Sequence, residues 1–277
     1  MKAFWFLVLT VLPAFAIEVG PNQTIGQGQL AYYGDFDPNQ GGELKNVLFS
    51  ILSSTHSAVR GQEDTFGPCQ RGARCYKQAP VGYSNARVII FGQLYVESDA
   101  RGTFVEDVYC AERTYFRTVQ EIARMNNVIN IEHTWPQSRF SNQFDKNMQK
   151  EDMHHLFPTN SRANAIRGNW WFGQSGNDGR GLEGMENCRD SSISRGGDRV
   201  FTPPTVHRGN VARAMFYFSV RYQMPIDATQ ERVLRQWHAA DPVDQEEEKR
   251  HALIADHQLV RNPFIDFPEL VGRIRDF

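Results

Sequence analysis

Glu132 and His133 stand side by side in the segment Asn130-Ile131-Glu132-His133-Thr134-Trp135-Pro136-Gln137. An ionised carboxylate can bind a hard cation through oxygen. A neutral imidazole can take a proton from water. Two downstream segments, Asp152-Met153-His154-His155-Leu156-Phe157-Pro158-Thr159 and Asn164-Ala165-Ile166-Arg167-Gly168-Asn169, add histidines, carboxamides and a guanidinium. The side-chain oxygen of Asn164 is a neutral hard ligand. Together with one carboxylate it would leave most of an octahedral Mg²⁺ shell to water and substrate phosphate. Arg167 follows three residues later, on the same face of a helix, and a planar guanidinium suits phosphate oxygens. Gly168 permits close backbone approach or ends the helix. Each group also has an ordinary reading. Glu132-His133 alone is a salt-bridging or packed pair, Asn164 a cap, and Arg167 a solvated cation. The H-E-x-x-H zinc pattern is absent, because no second histidine follows His133 at the required spacing.

The elements that must position these groups are legible in part. Val128–Thr134 reads as a strand that stops at Trp135-Pro136, since proline cannot donate to a central ladder. Neighbouring side chains on a strand point to opposite faces. Glu132 and His133 can therefore share a site only where that strand ends or twists. Residues 137–151 read as a polar loop, Met153–Phe157 as a brief second strand stopped by Pro158, and Ser161–Trp171 as a helix capped by Thr159 or Asn160. Upstream, Leu44, Leu48, Ile51 and Leu52 recur at helical spacing. Arg87–Val96 reads as a strand, and Val105–Phe116 supplies another that contains Cys110. Downstream, Gly173–Gly197 is a glycine-rich loop. Helices then follow over Val211–Tyr222, Gln230–Ala239 and Glu246–His257, with a turn at Asn262-Pro263-Phe264. No internal repeat is present. The expectation is an α+β fold in a single mixed domain.

The first sixteen residues stand apart. Lys2, an apolar run from Ala3 to Leu12 and Ala14-Phe15-Ala16 form a cleavable export leader, residues 1–16, too short to span a bilayer comfortably. No later segment is long and apolar enough either, so no stable membrane association is expected after cleavage. Residues 17–42 read as a loose lead-in, and residues 43–277 as the domain. Four cysteines, Cys69, Cys75, Cys110 and Cys188, suit two disulfides in an exported chain. Of the three possible pairings, a local Cys69–Cys75 loop with Cys110–Cys188 as the long-range staple is preferred. A structural zinc site is the alternative, disfavoured by the lack of any C-x-x-C pair. The net charge of -2 excludes a global basic field. Residues 195–216 are locally basic, with Arg195, Arg199, Arg208 and Arg213 against Asp198. The acidic segment around Glu246-Glu247-Glu248 reads as a solvated helix face.

EHTWPQS, DMHHLFPTN and NAIRGN, in that order and spacing, resemble the endonuclease I family of secreted bacterial nucleases, which belong to the ββα-metal, or His-Me finger, nucleases. The resemblance extends through Pro203-Pro204, Arg208 to Tyr217, Trp237, Asp241-Pro242-Val243, Glu247, Arg250 and Arg261 to Asp266, and covers about residues 44–270. It implies that His133 is the general base. It implies that Glu132 and Asn164 hold a single Mg²⁺, for which Ca²⁺ or Mn²⁺ can substitute. Arg167 supports the site or a phosphate, and His154 and Asn169 support the site from behind. Some members of the family carry a transition-state arginine on a longer, cysteine-containing loop. Here Arg139, Lys146 and Lys150 are candidates for that role, and it stays unassigned. Arg139, Arg208 and Arg213 are candidate substrate contacts. The implied activity is non-specific hydrolysis of DNA, RNA or both to 5′-phosphate ends, by a secreted or periplasmic monomer. Phosphate contacts carry no sequence information directly, and such binding weakens with salt. Two rivals remain. A non-catalytic extracellular nucleic-acid-binding module on this scaffold would bind without metal-dependent turnover. A hydrolase using Glu132 as acid and His133 as base would leave Asn164 and Arg167 without an account.

Overall fold

The computed structural model describes residues 31–38, 43–176, 180–194 and 199–277. The expected leader and much of the lead-in lie outside these residues, as do parts of the glycine-rich loop. Helix α1 (Leu44–Ser53) buries Leu44, Leu48, Ile51 and Leu52, the face that their spacing predicts. Three short antiparallel strands follow, β1 (His56–Ala58), β2 (Thr65–Phe66) and β3 (Arg74–Tyr76), with the Cys69–Cys75 disulfide closing the approach to β3. Helix α2 (Tyr83–Ile89) continues as a π-helical turn to Leu94. A meander of β4 (Val96–Asp99), β5 (Gly102–Glu106) and β6 (Arg113–Phe116) leads through α3 (Val119–Ile122) to strand β7 (Ile129–His133). Helix α4 (Lys146–Glu151), strand β8 (Leu156–Asn160) and helix α5 (Ser161–Arg167) complete the central unit. A small sheet then orders β10 (Arg180–Gly181), β11 (Ser192–Ile193), β12 (Val200–Thr202) and β9 (Trp171–Phe172), with β12 and β9 parallel. Five helices close the chain: α6 (Arg208–Arg221), α7 (Ala228–Ala240), α8 (Gln245–Gln258), α9 (Pro263–Asp266) and α10 (Leu270–Arg273). The architecture is α+β.

Two apolar cores hold these pieces. The larger one centres on α6, buried on nearly every side, with Val211, Met215, Phe216 and Phe218 against α1, Trp135, Phe172 and Phe201. The smaller one joins Ile90 and Phe91 to Val105, Ile129, Ile131, Leu156 and Ile254. Packing into it corrects the expectation of a strand over Arg87–Val96. Ala86, Ile89 and Ile90 are buried from a helix instead. The β-branched run is overridden by tertiary burial. Gly92 is needed there, because a Cβ would come within 2.9 Å of the Val119 side chain.

Other boundaries differ for local reasons. Val105–Phe116 is a hairpin of two strands, with Cys110 in its turn and disulfide-bonded to Cys188. Residues 137–151 are not all loop, since Asp145 accepts from the Met148 amide and starts α4. Met153–His155 is a 3₁₀ turn, and β8 runs through Pro158 rather than stopping there. The Pro158 carbonyl accepts from Val108, away from β7. Its nitrogen points the same way, so the missing N–H removes no ladder bond. Helix α5 begins under the Asn160 side chain, which accepts from Arg162 and Ala163, and ends at Arg167 because Gly168 takes a φ of 55°. The lead-in is not loose throughout. Tyr32 and Tyr33 are each 1% exposed, and the Tyr33 hydroxyl donates to Asp266 at 2.7 Å.

Arg213 of α6 and Glu247 of α8 form a buried ion pair, with Arg213 Nε donating to Glu247 Oε1 at 2.9 Å and Nη1 to the Asp241 carbonyl at 2.8 Å. Arg213→Met strands a buried carboxylate and removes the tie between the two helices. The expected loss, read by urea unfolding, is about 3–5 kcal/mol. A loss below about 1 kcal/mol, the size of an exposed pair, would contradict this assignment.

Candidate active site

Strands β7 and β8 pair antiparallel, with Glu132 opposite Phe157 and His133 opposite Leu156. Helix α5 folds back on them. Asn164 Nδ2 donates to the Ile131 carbonyl at 3.2 Å. Arg167 closes the angle from the last turn of α5. Its Nη1 donates to the His133 carbonyl at 3.1 Å, and its Nη2 to the Thr134 carbonyl at 2.7 Å. The same Nη1 lies 2.9 Å from Glu132 Oε1. The chain therefore turns as β7 ends. Glu132 and His133, adjacent in sequence, both line one cleft of about 330 Å³ with Tyr83, Asn164, Arg167 and Asn169.

Glu132 is 1% exposed. Burial pushes its carboxyl up to about 7, against the opposing pull of Arg167 and the Tyr109 hydroxyl. Tyr109 donates to Oε1 at 3.0 Å, the oxygen that Arg167 also meets. No described residue hydrogen-bonds Oε2. Asn164 is oriented in a similar way. Its amide nitrogen is committed to a carbonyl, so Oδ1 points elsewhere and has no partner among the described residues. Two hard oxygens in one cleft thus have no partner among the described residues, which fits a hard divalent cation. Among the described residues no three His, Cys, Asp or Glu side chains gather at one point. An ion held here would take one carboxylate and one carboxamide from the protein and the rest of its shell from water and phosphate.

His133 is fixed through its ring nitrogens. Nε2 lies 3.0 Å from the Lys150 carbonyl, which can only accept, so Nε2 carries the hydrogen. Nδ1 then holds the lone pair, and the Gln137 side-chain amide donates to it at 3.3 Å. The rings of Tyr83 and His155 each have their centroids 5.4 Å from that of His133. Burial first, then the neighbouring His155, holds the His133 pKa well below its usual range. The ring is neutral at pH 7 and can accept a proton at Nδ1.

The other sequence-predicted residues are divided by the structure. Asn169 lines the cleft and donates to Ser138 Oγ at 3.4 Å. His154 does not touch His133. It is buried between Tyr217 and His251, with Nε2 at 3.0 Å from the Val260 carbonyl. The histidine behind the site is its neighbour His155, which the sequence reading did not single out. Tyr109 and Gln137 were also missed. Only Gln137 carries a local signal, in the same short segment as Glu132 and His133. Arg139 lies over the Trp171 ring at 3.7 Å. Lys150 sits over Tyr83, and Lys146 is exposed at the start of α4. Arg213 is corrected outright. At 0% exposure and paired with Glu247, it cannot touch a substrate. Arg208 donates to the Pro203 carbonyl and lies over Trp237, outside the cleft lining.

The Endonuclease I family model matches residues 41–269 of this sequence. The chain belongs to the Endonuclease I family. Similar proteins include the extracellular ribonuclease of Bacillus subtilis (strain 168), 32% identical over 164 residues, which are 52% of this chain and 53% of that one. The periplasmic deoxyribonuclease of Aeromonas hydrophila is 30% identical over 120 residues, 43% of this chain and 49% of that one. An extracellular deoxyribonuclease of the same organism is 28% identical over 159 residues, 52% and 68% respectively. The chain spans about half the length of the first two of these relatives.

The Lys150 carbonyl dictates one tautomer of His133. Nitrogen-detected NMR of the labelled protein at pH 8 should show the Nε2–H form with an unprotonated Nδ1. An Nδ1–H tautomer would contradict this hydrogen-bond assignment for His133.

Proposed function

We propose that this chain is an exported, metal-dependent, non-specific endonuclease that hydrolyses phosphodiester bonds of DNA, RNA or both and leaves 5′-phosphate ends. One observation carries the reading. Glu132 Oε2, Asn164 Oδ1 and His133 Nδ1 belong to side chains of one cleft, and the first two have no hydrogen-bond partner among the described residues. The relatives' names, extracellular ribonuclease and periplasmic deoxyribonuclease, support nucleic acid as substrate and export from the cytoplasm. Two disulfides support an oxidising compartment. No described helix is long and apolar enough to cross a membrane.

Glu132 and Asn164 would hold Mg²⁺, with Mn²⁺ or Ca²⁺ as substitutes. When bound, the ion supplies neutralisation of phosphate charge and of the departing 3′ oxygen. His133 takes a proton from water at Nδ1, and its Nε2–H stays on the Lys150 carbonyl as the ring becomes charged. Gln137, exposed and only 3.3 Å from Nδ1, occupies the place a water would take and must swing aside. Arg167 acts as a positioning residue. It holds Glu132 Oε1 and the His133 carbonyl and is itself 1% exposed. No covalent nucleophile is required.

Plasmid DNA and single-stranded RNA should both be tested with Mg²⁺, with and without EDTA. Cleavage should stop with EDTA, and His133→Ala should lower the rate by about 10²- to 10⁴-fold, the usual contribution of a general base. Full activity of His133→Ala would sink the mechanism. Binding without metal-dependent turnover by the wild type would favour the non-catalytic module instead.

A further inference from the structure

Two segments form a wall of the cleft, Pro136–Ser138 and Gly168–Asn169, joined by the Asn169–Ser138 bond. Both continue into residues that the hydrolytic reading leaves unused. The first leads to Arg139, the second to Trp170 and Trp171. The Arg139 guanidinium lies 3.7 Å from the centre of the Trp171 ring, and Arg199 lies 5.5 Å from that of Trp170. Trp171 remains 36% exposed. The other exposed large apolar side chains among the described residues are valines, so Trp171 is the one aromatic in that group. Trp170, by contrast, packs partly against the larger core and fixes the segment beneath. An exposed indole beside a stacked guanidinium offers flat surface of the kind on which nucleobases stack, with positive charge for the adjoining phosphate. Bases in a duplex are already stacked on each other, so only unpaired bases can use such a surface.

We propose that Arg139 and Trp171, flanked by Arg199 and Trp170, form a base-stacking platform at the rim of the cleft that takes an unpaired nucleobase of single-stranded nucleic acid next to the scissile phosphate. This rests on the nuclease reading for the identity of the polymer. DNA and RNA share the chemistry, because every base has a π-face. The platform gives the enzyme its hold on the strand without reading sequence.

Binding in EDTA separates the platform from the hydrolytic chemistry. Wild-type protein and variants are titrated against short fluorescein-labelled single-stranded oligothymidylate, oligouridylate and an abasic oligodeoxynucleotide of equal length and charge, following the anisotropy of the label. The base-bearing strands should bind at least about fivefold more tightly than the abasic one, the lower range of a stacked base. Trp171→Ala should lose this preference, and Trp171→Phe should keep most of it. Equal affinity of the wild type for base-bearing and abasic strands would overturn the platform. So would Trp171→Ala that retains the full preference, which would reduce the Arg139–Trp171 stack to local packing. A failure of the nuclease reading would register separately, as no Mg²⁺-dependent cleavage by the wild type.

Discussion

The site depends on one buried ion pair, Arg167 with Glu132. Both side chains are about 2% exposed, and their closest approach is 2.9 Å. An unpaired carboxylate at this depth would be costly. Arg167 makes it tolerable, and Tyr109 adds a hydroxyl to the same oxygen. The second oxygen is thereby directed to other use. The pair also fixes backbone. The guanidinium that meets Glu132 holds the carbonyls of His133 and Thr134, which is how two neighbours on a strand come to line one cleft. Tyr109 belongs to the β5–β6 turn, next to Cys110 and its bond to Cys188. The hairpin, the long-range disulfide, β7 and α5 therefore meet at a single carboxylate.

Arginine count is a poor guide to phosphate contact here. Arg87, Arg167, Arg213, Arg221 and Arg250 are all buried. Arg250 donates to carbonyls of Met153 and Leu156 and so ties α8 to the start of β8. Arg87 donates to the Ala123 carbonyl and to the Asn130 side chain of β7. These guanidinia act as multivalent clamps on backbone, a use that their planar, many-donor geometry favours. The basic cluster read from residues 195–216 dissolves in part for this reason. Of its members Arg213 is internal and Arg208 lies over Trp237, while Arg199 is exposed.

Both disulfides match the pairing preferred among the three that the cysteines left open, and the order strand, connection, strand, helix was legible, as were α1 and the C-terminal helices. Those rest on local signals: spacing of Leu44 and Leu48, proline after β7, Asn160 as a cap, and glycine after Arg167. What was misread was decided at long range. Arg87–Val96 has strand composition but a helical burial pattern that only its contacts with Val105 and Ile131 reveal. His154 and His155 are equivalent by sequence, and which one backs His133 depends on the 3₁₀ turn that leads into β8. Tyr109 is far from Glu132 along the chain, and its role follows from the hairpin's placement. Glu132, His133 and Asn164 could be named because they sit in linked motifs. The partners that orient them could not.

Arg167 and Tyr109 hold one oxygen of Glu132, and on the proposed function the other, with Asn164 Oδ1, would receive a hard cation. Anomalous diffraction from crystals grown with Mn²⁺ tests it most directly. A manganese peak is expected within bonding distance of Glu132 Oε2 and Asn164 Oδ1, with the Glu132–Arg167 pair intact. No peak in the cleft, or one bound without either of those two oxygens, would contradict it.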